Sequence, residues 1–478
     1  MMAKSVETRK TIVKIGFALL LGIMFFVAYL SKTEPMAEPS SSYFSVLDLL
    51  LQQLRGERPY QVIEGNMHGA VYPISLAYLG NLFGQTESYV ICYYVQGGIL
   101  ALMVMLMTLF MGNLTGRFWI GVIAAVSICC FSYPYWIATL GYSYWGAPVT
   151  VLIVSPLLCD LFRNIRKEND KKSHIELLIV IIIMLIGNII RQHASLPILC
   201  ILMMYIILKQ CLCLHKKQIL RSVVGIAALL LLFVCTEPIL HNVYDLCSGK
   251  LRIENVERPW HAIWCGLGYN SNDYGFEWND SAAYKYVTSV DSKAEYCSEE
   301  YFDILKDRVM EVVYKDPFFV LGTYWEKFVD SLKIGWSCFG KILIKCCILL
   351  LFVKGISCIM HKRKVHTYLL WSLLLGMMII VLGTVQGIIG YPHIAYIYAS
   401  CAGYVYVMTV LIAEILDTLG DIMERAEDAI VLEKIPVKKS MIKERTSQVL
   451  YIVCPCYNEA ESLGGGVHLT GCRILWEN

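Results

Sequence analysis

Three groups of residues in this 478-residue chain are of types that could do chemistry. Carboxylates stand early, Glu38 and Glu64 foremost with Glu34 and Asp48 beside them, and each could take a proton from a hydroxyl. Arg191-Gln192-His193 follows an apolar stretch, and a cation placed there could neutralise charge growing on a phosphate. Near the end, the apolar run Val449 to Val453 stops at Pro455 and turns through Cys456-Tyr457-Asn458-Glu459. That pattern reads as a buried strand delivering polar groups at its carboxyl end, where open α/β sheets bind nucleotides. The plainer alternatives are solvated loop carboxylates, an interfacial arginine snorkelling to headgroups, and an accidental turn sequence.

The elements that must position these groups are membrane helices. Hydrophobic residues make up 57% of the chain and charged residues 17%, with a mean hydropathy of +0.55. Soluble domains carry roughly a quarter charged residues. Residues 118–159 hold no Asp, Glu, Lys or Arg, which is about twice the length of helix that a bilayer core accommodates. Two spans are therefore expected there, turning at Pro134, Gly141, Gly146 and Pro148. The same length criterion places others near 12–30, 90–111, 176–190, 195–210, 221–239, 339–358, 367–388 and 393–413, about ten in all.

Lysine and arginine set the expected orientation, since short loops rich in them stay cytoplasmic. Four clusters fall on one side when spans are counted alternately: Lys4 to Lys14, Arg163 to Lys172, Lys209 to Arg221, and Lys362 to Lys364. Both termini are then cytoplasmic, and the long loops 31–89 and 240–338 face outward across the cytoplasmic membrane. The first span lacks a small-residue cleavage site and reads as an uncleaved anchor. A net charge of +2 leaves no basic face for nucleic acid, because topology accounts for the cations. Most of the 19 cysteines lie in apolar stretches, with Cys247, Cys265 and Cys297 in the second outer loop. No C-x-x-C pair stands near suitable histidines, so no metal site is legible, and a divalent metal ion is the one cofactor left open.

The second outer loop holds 16 Asp and Glu against 10 Lys and Arg over residues 241–335, together with many aromatics. It should fold, with a helix over Ser298 to Tyr314 marked by Tyr301, Ile304, Leu305, Val309, Val312 and Val313. Ahead of that helix lie Trp260, His261 and, farther on, Tyr274 to Asp280. Rings mixed with carboxylates in this way suit a sugar-binding surface and suit ordinary irregular loops as well. Beyond the last span, Ile412, Ile415, Leu416, Leu419, Met423, Ala426 and Ile430 repeat at helical spacing, giving an amphipathic helix and then a linker around Pro436.

Pro455, Tyr457, Asn458 and Glu459 resemble the P-x-Y-N-E turn that opens family 2 glycosyltransferases and holds the nucleotide of a sugar donor. The family continues with a metal-binding D-x-D and a general base. The chain ends at Asn478, and Gly464-Gly465-Gly466 interrupts the helix that should follow, so this stretch is expected to be a truncated stub. Gly56, Pro59 and Tyr60, followed by His68, Gly69, Tyr72 and Pro73 and then Leu82-Phe83-Gly84, resemble membrane glycosyltransferases of the GT-C class, which use polyprenyl-phosphate sugars. That family shows Asp-Glu just before a tyrosine, whereas here Ser40-Ser41-Ser42 precedes Tyr43 and Glu38 is displaced.

The resemblance implies an all-α polytopic fold with a large extracytoplasmic loop domain. It also implies transfer of a sugar from a lipid phosphate to an acceptor outside the cell. On that reading Glu38 or Glu64 is the base, Arg191 and His193 hold the donor phosphate, and His68, Tyr72, Trp260, His261 and Asp280 contact acceptor or sugar. Glu64 is ranked on the ground that His68 lies one helical turn on. Partners would be the polyprenyl-phosphate sugar, the bilayer and a separate family 2 glycosyltransferase that loads the lipid. The expected divisions are 1–415 for the membrane domain, 416–447 for the amphipathic helix and linker, and 448–478 for the stub. The rival is a non-catalytic membrane protein, either a transporter of lipid-linked sugars or a degenerate scaffold.

Overall fold

The computed structural model describes residues 2–32, 42–65, 71–84, 88–132, 146–167, 171–191, 193–213, 216–248, 252–255, 259–360, 367–393 and 396–434. In order, the elements are α1 (Met2–Lys32), α2 (Ser42–Leu54), β1 (Val62–Gly65), α3 (Val71–Leu82), α4 (Ser88–Thr115), α5 (Phe118–Ser132), α6 (Gly146–Arg163), α7 (Lys171–Ile190) and α8 (Leu196–Cys213). They continue as α9 (Lys216–Ser248), β2 (Arg252–Asn255), α10 (Pro259–Leu267), α11 (Asp280–Val290), α12 (Glu299–Lys315), α13 (Pro317–Met360), α14 (Thr367–Leu382), α15 (Val385–Ile389) and α16 (Tyr398–Lys434). The chain divides into two compact units, Phe17–Thr418 and a smaller one made of Met1–Gly16 with Leu419–Asn478. The contacts below lie within the larger unit.

Among the described residues seven helices are long and apolar enough to cross a membrane: Arg9–Ser31, Val90–Thr115, Gly146–Arg163, Lys171–Ile190, Pro317–Ser357, Tyr368–Ile389 and Tyr398–Met423. The chain is thus a multi-pass membrane protein. Shorter apolar helices occupy Phe118–Cys129, Leu196–Leu212 and Ser222–Thr236, where three further spans were expected. Outward-facing side chains such as Leu20, Leu231 and Leu351 are exposed, the arrangement that lipid rather than water satisfies. Every residue of α6 from Gly146 to Phe162 is buried, so this helix runs through the middle of the bundle. Close approach depends on small residues: a Cβ on Gly121 would stand 2.0 Å from the Thr108 carbonyl oxygen, which puts the α5 backbone directly on α4.

Charged groups gather where α4, α6, α7, α13, α14 and α16 come together. Arg117 Nη1 lies 3.0 Å from Asp417 Oδ1, and Lys172 Nζ lies 2.6 Å from Asp160 Oδ2. Arg163 also pairs with Asp160 and donates to the Leu114 carbonyl. Glu414, with no exposed surface, accepts from Lys354 and from the Tyr368 hydroxyl. Cys159 Sγ, 3.0 Å from Ser372 Oγ, links α6 to α14 in the same region. Asp160, Glu414 and Asp417 each have a cation, as a low-dielectric interior requires.

A second hydrophobic core, separate from that of the bundle, joins α10, α11 and α12 around Trp264, Phe276, Val287, Tyr301, Leu305, Val309 and Val312. The ends of its helices follow ordinary capping chemistry. Asn279 Oδ1 accepts from the Ser281 N–H, and Ser298 Oγ accepts from the Tyr301 N–H. At the junction with α13, Asp316 Oδ1 accepts from the Phe319 N–H, with Pro317 at the first helical position.

The structure corrects several expectations. β1 and β2 form a short parallel ladder that pairs Val62 with Arg252 and Glu64 with Glu254, a four-residue addition to an otherwise helical fold. Glu64 is therefore on a strand, and the helical spacing on which it was ranked does not hold there. The stretch 31–89 is less a loop than expected, because α2 and α3 place Leu47, Leu50, Leu51, Ile74 and Leu76 in the bundle core. α9 continues past Pro238 to Ser248, and α13 begins at Pro317 rather than near 339. The amphipathic pattern beyond residue 412 belongs to α16, which runs unbroken from the last span to Lys434.

Candidate functional site

The turn between α7 and α8 carries the proposed phosphate clamp. Arg191 is buried, and its N–H continues the α7 ladder to the Gly187 carbonyl at 3.1 Å. His193 adopts a left-handed backbone at φ 66° and is exposed. Its N–H donates to Asn188 Oδ1 at 2.9 Å, and that asparagine is itself fixed by donating to the Phe233 carbonyl of α9. The strained turn is thus set from α7, and a left-handed φ at a residue other than glycine is held by a side-chain acceptor.

His193, Ala194 and Pro197 line a pocket with Leu382, Val385 and Gln386 of the α14–α15 turn, enclosing about 220 Å³ including its open mouth. Most of that space is open to solvent, and the enclosed part has room for about one water molecule, enough to seat a single oxygen of a phosphate or a sugar. Arg191 does not line it, so the two residues of the expected clamp point to different surroundings.

Across α15 lies a face of rings and carboxylates. Tyr269 and Tyr391 pack edge to face at 5.3 Å, and Trp278 lies against Tyr391 at 4.8 Å. The Tyr269 hydroxyl donates to Asp330 Oδ2 at 2.7 Å, and Asn270 donates to Glu326. Burial, and then the bond to Asp330, raises the Tyr269 phenol above its ordinary value. Beneath the face Lys327 is fully buried, its ammonium donating to the Gly266 and Ile389 carbonyls at 3.1 and 3.2 Å and standing 5.2 Å from the Tyr324 ring.

The third group lies in the second core. His261 Nε2 is 3.0 Å from Asp280 Oδ1 and His261 Nδ1 is 2.7 Å from the Tyr301 hydroxyl. Cys265, one helical turn on from His261 in α10, places Sγ 3.7 Å from the same Nε2. Burial, followed by the Asp280 charge, pushes the Cys265 thiol up to about 12. Burial first, and then Tyr296, Cys265, Cys297 and Asp280, raises the Tyr301 phenol.

Of the residues singled out in the sequence, the structure brings His261 and Asp280 together, with half-buried Trp260 beside them on α10. Tyr72 is buried in the bundle core. Glu64 is placed by its backbone, paired across the ladder with Glu254. Glu38, His68, Pro455, Tyr457, Asn458 and Glu459 lie outside the described residues. Sequence reasoning missed Cys265, Tyr301, Lys327 and the pairing of Tyr391 with Trp278. The i, i+4 spacing of His261 and Cys265 was a usable signal, whereas nothing marks Lys327 among other lysines. The chain matches no protein-family model, no curated protein and no solved structure.

Proposed function

We propose that the chain is a membrane glycosyltransferase that moves a sugar from a polyprenyl-phosphate carrier to an extracytoplasmic acceptor, a cell-envelope polysaccharide, glycolipid or protein. The observation that carries this reading is the position of α15, which has the His193 pocket at its start and the Tyr269–Trp278–Tyr391 face at its end. Five residues of helix separate them by about 8 Å, the scale of one pyranose ring. A lipid phosphate at the pocket would hold the sugar over the rings, where Glu326 and Asp330 accept from hydroxyls. His193 steadies the departing phosphate, with Arg191 supplying positive charge from behind the turn. Glu38 or Glu64 takes the acceptor's proton as the new bond forms. In this arrangement both termini are cytoplasmic, α10–α12 form the extracytoplasmic domain, and a separate family 2 glycosyltransferase loads the lipid from inside.

The rival reading, a transporter of lipid-linked sugars or a scaffold that has lost turnover, draws on the small pocket and on the absence of any carboxylate among the described residues that line it. Purified protein given radiolabelled polyprenyl-phosphate sugar and acceptor-bearing membranes separates the two. Release of lipid phosphate that falls on Glu38→Gln or Glu64→Gln supports the transferase. Sugar-lipid binding without release, unchanged in both variants, overturns it in favour of the rival.

A further inference from the structure

We infer that His261, Cys265 and Asp280 form a binding site for a zinc-type divalent cation, distinct from the transfer site. The three ligand atoms lie within 4.8 Å of one another. Their separations are 3.0 Å from nitrogen to carboxylate oxygen, 3.7 Å from nitrogen to sulfur and 4.0 Å from sulfur to oxygen. Zinc bound tetrahedrally at its usual distances holds such atoms roughly 3.3 to 3.7 Å apart. The shift needed is a few tenths of an ångström, and Asp280, whose side chain is 78% exposed, is free to make it.

The chemistry of the donors selects the metal. One imidazole, one thiolate and one carboxylate match a borderline ion such as zinc and do not match magnesium or calcium, which prefer oxygen. Two anionic ligands and one neutral one balance a dication. Binding displaces the thiol proton to solvent and takes His261 through Nε2.

The surroundings are those of a built site. His261 and Cys265 are presented on one face of α10, and Asp280 sits in the first turn of α11, whose start is fixed by the Asn279 cap. The Tyr301 hydroxyl, 2.7 Å from Nδ1, comes from α12 and accepts from Nδ1–H once Nε2 holds the metal. Such outer partners fix the tautomer and the ring plane of a ligating histidine. Cys265 is buried and Asp280 is exposed, so solvent reaches the cluster from the aspartate side and supplies the fourth ligand. The ion would join α10, α11 and the α12 tyrosine, adding a metal link to the hydrogen bonds and packing that already hold the three elements together.

The test uses the full-length, tag-free protein in detergent, stripped of metal and then offered zinc or cobalt alone. One zinc per chain is expected to survive desalting, and cobalt should give a thiolate-to-metal charge-transfer band. Cys265→Ala should abolish that band, and His261→Asn and Asp280→Asn should each weaken zinc binding by about 10-fold or more. Tyr301→Phe, which removes only the outer partner, should weaken it on the order of 10-fold. Asp280→Asn changes an exposed residue, so its circular dichroism serves as the control for folding. Zinc uptake unaltered by Cys265→Ala and His261→Asn overturns the site, as does no uptake by the folded wild type, or recovery of Cys265 in a disulfide.

Discussion

Asn188 Nδ2 donates to the Phe233 carbonyl at 3.1 Å, joining α7 to α9 just below the turn that presents His193. The same side chain accepts from the His193 N–H, so one carboxamide fixes both a helix pair and a left-handed residue. Asn188→Leu should lower stability by about 1 kcal/mol, the scale of side-chain hydrogen bonds between membrane helices. Thermal unfolding in detergent measures that loss, and faster amide exchange over residues 191–196 should accompany it. Unchanged exchange there would show that the turn is set by something else.

Asp160 serves two cations, Arg163 on its own helix and Lys172 on α7. Removing the acid takes the nearest carboxylate from both, though Lys172 keeps Glu176 at 3.4 Å and Arg163 the Leu114 carbonyl, whereas removing Lys172 leaves the arginine pair in place. Asp160→Ala should therefore destabilise by about 2 kcal/mol, less than the ~3–5 kcal/mol of a fully buried pair because both cations keep some solvent. Lys172→Met should cost well under half of that. Chemical denaturation of the two variants side by side checks the order, which is the informative result.

Gly121 has no room for a side chain against Thr108, while Gly225 has open space around its Cβ position. Gly121→Val should force α5 off α4 at a cost near the top of the ~1–3 kcal/mol range for overpacking. Gly225→Ala should be neutral or slightly stabilising through helix propensity. Yield of monodisperse protein and its melting temperature report both effects.

Asp316 is held below the ordinary aspartate value, first by the Phe319 N–H and then by the Tyr274 hydroxyl. A carboxyl lowered on folding adds stability above its unfolded value near 3.8, and that stability is lost as pH falls through the lower folded value. The acid limb of the stability profile should therefore flatten in Asp316→Asn, with little change at neutral pH beyond the weaker cap. A parallel shift of the whole profile would assign the effect to capping alone.

The sequence disclosed what depends on local pattern. Uninterrupted apolar runs put helices where spans were expected, seven of them long enough to cross a bilayer among the described residues, because apolar length is a one-dimensional property. The helix expected from Ser298 is α12, with Tyr301, Leu305, Val309 and Val312 buried as the spacing required. What stayed hidden depends on encounters between distant segments. Glu64 meets Glu254 through the backbone, which leaves no trace in side-chain periodicity. Cys265 was read only as one of three cysteines of the second outer loop, since its ligand character appears only when Asp280 arrives from the next helix. Lys327 looked like any interfacial lysine until the Gly266 and Ile389 carbonyls enclosed it.

The β1–β2 ladder has a consequence for biogenesis. Its strands are separated by roughly 190 residues, and every intervening helix must be inserted before Asn255 emerges to meet its partner. At common translation rates that interval is on the order of 10–40 seconds. For that time the Val62–Gly65 segment presents an unsatisfied edge, which a foreign strand or a holding chaperone could occupy first.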